Sequence, residues 1–210
     1  MSLRPRAFCA AVALLLAACG PTDDAPPQPE SDMQALVDEY ATVRLEADLS
    51  QLSAEDRQVV RLLLEAMPPM DDVFWQQAYG DRDAALALAG DDPAARRFVE
   101  INYGPWDRLR GDRPFLEGVG PKPAGANFYP ADMTKEQLEA AVADRPELAG
   151  LYTLVRRDTA GALVAVPYHE AYAEQHAATA AKLREAAAIA TDQALAHYLS
   201  LRADALENDD

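Results

Sequence analysis

Apolar residues along most of this chain recur at intervals of three and four. Met33, Leu36, Val37, Tyr40 and Val43 form one stripe, the spacing of a helix buried along one side. Ser53 precedes Ala54-Glu55-Asp56, a capping residue with acids in the first turn. Val59, Val60, Leu62, Leu63, Leu64 and Met67 then continue as a more deeply buried helix, so residues 32–67 read as helical and Pro68-Pro69 as the stop. Asp71-Asp72 reads as the opening of a short helix carrying Val73, Phe74, Trp75 and Tyr79, which Gly80 closes. Asp81 caps the next helix, and Asp91-Asp92-Pro93 opens another with Phe98, Ile101 and Tyr103 on its inner face. The paired acids at 71/72 and 91/92 are expected to be helix caps rather than metal or acid/base groups.

From Gly104 to Met133 the periodicity stops. About thirty residues without a helical or strand pattern are unusual inside a compact domain, and such a loop is either functional or disordered. Trp106, Phe115, Phe128 and Tyr129 argue for order, since aromatic side chains pack. Thr134-Lys-Glu-Gln137 is a capping box for a helix reaching about Ala143. Residues 151–157 and 162–166 are rich in β-formers, and Asp158-Thr-Ala-Gly161 between them makes a turn, so this is a β-hairpin. Residues 169–190 and 193–207 are alanine-rich helices with Leu183, Ile189, Leu195, Tyr198, Leu199 and Leu206 as contacts. The fold class is therefore mostly α with a small β-hairpin (α+β).

The first thirty residues follow a different rule. Arg4 and Arg6 precede an uncharged run from Ala7 to Ala18, the layout of a secretory signal. The run is shorter than the roughly 20 residues of a spanning helix. It ends in Leu16-Ala17-Ala18-Cys19-Gly20, which resembles the bacterial lipobox, so Cys19 is expected to become the lipid-modified N-terminus after removal of residues 1–18. Residues 19–31 contain four prolines and three acids with little that is apolar, a tether reaching about 30 Å rather than a core-forming segment. The folded domain is expected over 32–210. Several acyl chains at about 0.8 kcal/mol per buried CH₂ would hold it at a membrane. The expected place is the bacterial cell envelope, lipid-anchored, at the outer membrane facing the periplasm, since no Asp follows Cys19 directly.

Charge narrows the partners. The chain has 19 Lys+Arg against 35 Asp+Glu, a net −16. Loss of the signal removes two arginines and no acid, which makes it more negative still. Such a surface repels nucleic acid and anionic headgroups. No nucleic-acid partner is expected; the membrane is reached through the lipid.

No catalytic constellation stands in the sequence. His169-Glu170 looks like the start of a zinc-binding HExxH helix, but Ala stands at 173 and the next histidine is His176. Seven residues along a helix is about 10 Å, too far for two imidazoles to share one metal readily. His169 is expected to cap the helix after Pro167, and His197 to be partly buried. Gly118-x-Gly120 leads into prolines rather than a helix, and Gly120 to Gly125 is followed by Ala126 and Asn127, not the Lys and Ser/Thr of a phosphate loop. No catalytic residue, no metal ligand and no cofactor is expected in this chain.

Several segments carry a family resemblance: Gln77 to Asp83, Glu100 to Arg108, Pro114 to Pro130, Met133 to Glu136, Tyr152 to Arg157 and Pro167 to Glu170. Together they resemble the N-terminal part of bacterial dipeptidyl-peptidase III-like zinc hydrolases, over roughly residues 35–207. The resemblance implies a two-lobed metallopeptidase-like fold with a cleft, and release of dipeptides from the N-termini of short peptides. It implies zinc for the full-length enzyme, held by an HExxGH helix and a second helix with another Glu. Neither motif occurs here, so no metal ligand or base can be carried onto these residues. What carries over is that 118–130 lines a wall of the peptide cleft. Asn127 is then the candidate for a polar contact to peptide backbone, with Phe128 and Tyr129 as apolar wall. The alternative at these three positions is that they only fasten the loop to its own core.

Two functions follow. The chain is the substrate-cleft-forming N-terminal portion of a membrane-anchored zinc dipeptidyl-peptidase-like hydrolase, inactive by itself; the C-terminal Glu207-Asn-Asp-Asp210, with no closing element, reads the same way. The alternative is a non-catalytic envelope lipoprotein that binds peptides or a protein partner.

Overall fold

The computed structural model of the protein describes residues 33–210. The expected signal segment, Cys19 and the tether lie outside the described residues. These described residues form one compact unit.

Helix α1 (Met33–Asp38) is shorter than the apolar stripe predicts. Beyond it, residues 41–49 have no regular structure, and Val43 is 71% exposed. Tyr40 leaves the stripe to meet Phe98 edge-on, ring centroids 6.0 Å apart. Two hydrogen bonds of 2.6 and 2.8 Å from Arg110 to the Glu39 carboxylate secure the chain there.

The Ser53 hydroxyl accepts from the Asp56 N–H at 3.0 Å and starts α2 (Ala54–Glu65). Its buried residues are Val59 and Leu62, while Leu64 is exposed. The prolines do not stop α2, which ends before them. Pro68 and Pro69 lie in the first turn of α3 (Met67–Ala78), where a missing N–H leaves no broken bond. Asp71 and Asp72 consequently sit inside α3 and cap nothing. Asp71 instead accepts a 2.5 Å hydrogen bond from the Tyr103 phenol, a contact that raises the Tyr103 pKa, because it favours the neutral phenol. Asp81 and Asp92 do cap, opening α4 (Arg82–Leu88) and α5 (Pro93–Asn102).

The aperiodic segment is ordered. It contains a two-residue ladder, β1 (Trp106–Asp107) against β2 (Arg113–Pro114), around a 3₁₀ turn at Arg108–Arg110. Asn102 is buried and serves both sides of the turn, donating to the Phe98 carbonyl and accepting from the Arg108 N–H, both at 3.0 Å. The Trp106 indole N–H reaches the Gly120 carbonyl at 2.9 Å, and Lys122 pairs with Asp112 at 2.9 Å. Thr134 and Gln137 form the predicted capping box of α6 (Lys135–Asp144). The hairpin is β3 (Thr153–Arg157) with β4 (Leu163–Pro167), in antiparallel register Val155 to Ala165.

The rest is a helix assembly: α7 (Tyr168–Ala171), α8 (Ala173–Ile189) and α9 (Gln193–Asn208). Helix α8 packs against α9, α2 and α3. Ala180, Ala186 and Ala203 are fully buried; their small size permits close helix approach. His197, expected partly buried, is exposed.

Candidate functional site

The segment 125–130 crosses between α3 and the hairpin. The Asn127 N–H donates to the Gln77 carbonyl at 3.0 Å, and its side-chain Nδ2 to the Gln76 carbonyl at 2.7 Å. Both acceptors belong to the last turn of α3, where helical carbonyls lack an intrahelical partner. On the other side the Arg156 guanidinium donates to the carbonyls of Asn127 at 2.9 Å and Phe128 at 3.2 Å. The Val155 N–H adds a 3.0 Å bond to the Phe128 carbonyl. The loop, a run of turns, is thus pinned between helix and hairpin.

This arrangement separates the three candidate residues. Phe128 packs with Val73, Leu154 and Tyr172. Tyr129 packs with Leu148, Val155 and Leu163 and lies over Gly125. Asn127, half-buried like the other two, borders two hollows. One, of about 590 Å³, is edged by Asp72, Gln76, Arg82 and Gln175. The other, of about 420 Å³, is edged by Tyr79, Trp106, Tyr129 and Arg156. With Nδ2 committed to Gln76, the Asn127 Oδ1 has no donor among the described residues. That oxygen is suited to accept an N–H such as a peptide presents. Gln76, Gln77 and Arg156, which hold Asn127, were missed in the sequence. The only signal was paired arginines in an otherwise apolar strand.

His169 and His176 are engaged elsewhere. His169 Nδ1 lies 2.7 Å from Asp209, whose carboxylate also accepts the His169 backbone N–H. The cap at this helix start is therefore Asp209, not His169. His176 is buried, with Nδ1 2.6 Å from the Leu206 carbonyl. Among the described residues no group of three or more His, Cys, Asp or Glu could hold a metal ion. The zinc implied by the resemblance does not fit any side-chain cluster described here, and no chemical step is assigned to it.

The helical architecture with one hairpin and a pinned Gly/Pro/Asn loop is that of a dipeptidyl-peptidase III-like segment, and solved structures bear this out. The chain is similar to DPP III from Caldithrix abyssi, with 37% identity and a TM-score of 0.78 over 84% of this chain and 35% of that one. It is also similar to dipeptidyl-peptidase III from Corallococcus sp. strain EGB, with 33% identity and a TM-score of 0.79 over 86% of this chain and 36% of that one. A curated relative, Nudix hydrolase 3 of Arabidopsis thaliana, is 28% identical over 137 residues, 49% of this chain and 18% of that protein. The chain therefore spans about a third of the solved relatives and less of the curated one. No family model matches.

Proposed function

We propose that this chain is the substrate-cleft-forming portion of a membrane-anchored zinc dipeptidyl-peptidase-like hydrolase acting on short peptides. The observation that carries this reading is the match of 84% of the chain to a solved DPP III at 37% identity. In this reading the metal is held by residues outside this chain. Asn127 Oδ1 accepts from the backbone of a bound peptide, with the hollows on either side taking neighbouring side chains. Cys19 carries the lipid and residues 20–31 hold the domain off the outer membrane.

Two measurements test it. Metal analysis and a chromogenic dipeptide substrate, applied to the purified chain, are expected to give neither stoichiometric zinc nor turnover, while the whole protein from its host gives both. Zinc and turnover from the chain alone would reject the placement of the metal and return His169 and His176 to consideration. Palmitate labelling in a bacterial host is expected to mark the chain and to vanish with Cys19→Ala. Retained label would reject the anchor.

A further inference from the structure

The hollow of about 420 Å³ beside Asn127 differs in charge from the chain around it. Tyr79, Trp106 and Tyr129 line it together with Arg156 and Arg157, and no carboxylate does. The chain as a whole carries 35 Asp+Glu against 19 Lys+Arg. Arg157 is neutralised by Asp132 at 2.9 Å. Arg156, half-buried, has no acid partner among the described residues. It donates to the carbonyls of Asn127 at 2.9 Å, Phe128 at 3.2 Å and Val155 at 2.9 Å, all from its two terminal nitrogens. A guanidinium has donors on all of its nitrogens. The Arg156 Nε–H and one of its Nη2 N–H groups are therefore left without an acceptor among the described residues. The carbonyls fix where this cation sits, and none of them cancels its charge. The aromatic side is also fixed. The Tyr79 and Trp106 ring centroids lie 5.7 Å apart, and the Trp106 indole is tied to the Gly120 carbonyl.

We infer that this hollow takes the C-terminal residue of a peptide, with its carboxylate on the spare Arg156 donors, its N–H on the Asn127 Oδ1, and an apolar side chain against Tyr79, Trp106 and Tyr129. A half-buried guanidinium without an acid is matched by a carboxylate, which accepts charge-assisted hydrogen bonds in a planar pair. Asn127 lines the same hollow, and its own carbonyl is held by Arg156. The cation and the free amide oxygen therefore work side by side. The last residue of a peptide carries an N–H and a carboxylate on one Cα, the two groups that this pair can engage. An Asp or Glu side chain brings a carboxylate but nothing apolar for the aromatic wall. Inorganic phosphate brings neither an N–H nor an apolar group. The volume lies in the range of pockets that hold small ligands. The inference rests on the peptide reading of Asn127 above, and adds to it which end of the peptide is recognised and which kind of terminal residue is preferred.

The test is calorimetric titration of the full chain, purified in detergent with a chelator present so that no cleavage intervenes. The probes are Ala-Ala-Phe, its C-terminal amide, and Ala-Ala-Glu amide, whose only carboxylate is on a side chain. Ala-Ala-Phe is expected to bind about tenfold tighter than either amide, the worth of a hydrogen-bonded charge. Arg156→Gln is expected to abolish that difference. Because Arg156 also pins residues 127 and 128, Tm of the variant is read alongside, and the comparison of probes on the parent chain needs no variant at all. Equal binding of Ala-Ala-Phe and its amide, or binding of none of the probes, overturns the carboxylate site and leaves the peptidase reading to its own test of zinc and turnover. Ala-Ala-Glu amide binding as tightly as Ala-Ala-Phe, or equimolar inorganic phosphate displacing Ala-Ala-Phe, overturns it too, in favour of a general anion site. A preference for the free acid in a chain whose whole protein releases no dipeptides keeps the site and rejects the peptidase reading.

Discussion

The carboxylate of Asp209 grips His169 twice, once at the ring Nδ1 (2.7 Å) and once at the backbone N–H (3.0 Å). Forty residues separate them. Asp209 adopts a left-handed conformation with φ 58° as α9 ends, and this turns its side chain to the start of α7. Asp209→Ala is expected to lower stability by about 1–2 kcal/mol through loss of this capping contact. Asp209→Asn should cost less, since asparagine tolerates the backbone angle and keeps an acceptor. Urea unfolding of the three proteins checks the order; equal stabilities would show that the contact contributes nothing.

Gly125 is required by its surroundings. Its φ is +77°, and a Cβ there would lie 2.5 Å from the Tyr129 ring. Gly125→Ala therefore combines an unfavourable backbone angle with overpacking, and a loss of about 2–3 kcal/mol is expected. If Gly125→Ala with Tyr129→Ala recovers part of that loss, the clash is the cause. A strictly additive double variant would assign the cost to the backbone alone.

Phe98 anchors the ordered loop to the helices. It is fully buried, with Phe115 at a 4.6 Å ring separation and Tyr40 at 6.0 Å. Phe98→Ala is expected to cost about 3–5 kcal/mol. Limited proteolysis should then cut within 104–124 first, and cleavage confined to other segments would contradict the anchoring role.

Surface arginines are expected to contribute to the acid limb of stability. Arg184 donates to Glu207 and Asp204, and Arg157 to Asp132. The Glu207 carboxyl is held below its ordinary 4.5 and Asp132 below its ordinary 3.8, in each case chiefly by the arginine hydrogen bond. A carboxyl with a lowered folded-state pKa contributes stability that is complete above its unfolded value and is lost as pH falls through the folded one. Thermal unfolding from pH 7 to 2.5 should therefore show a decline beginning near pH 4.5. In Arg184→Gln and Arg157→Gln that decline should be shallower, and the effect should weaken in high salt. Parallel curves for variants and parent would exclude these pairs as its source.

Much of the architecture was legible because it depends on local chemistry. Ser53, Asp81, Asp92 and the Thr134/Gln137 box cap helices by bonding to N–H groups two or three residues away. The Asp158–Gly161 turn likewise joins the strands on either side of it. The misreadings arose where two local rules compete. Pro68-Pro69 can end one helix or begin the next, and the chain does the second. Val43 continues a helical spacing but has no surface to bury against.

The sequence by itself determined the helical and hairpin segments and the aromatic ordering of the long loop, because spacing and capping act within a few residues. Only the tertiary structure decided that Asn127 and Tyr129 border a hollow while Phe128 packs among Val73, Leu154 and Tyr172. That depends on carbonyls at the end of α3 and on Arg156 in β3, about fifty and thirty residues away. It also decided that His169 and His176 are held by Asp209 and the Leu206 carbonyl rather than by each other's company. Such long-range pairings depend on how helices pack, and no periodicity within one segment encodes them.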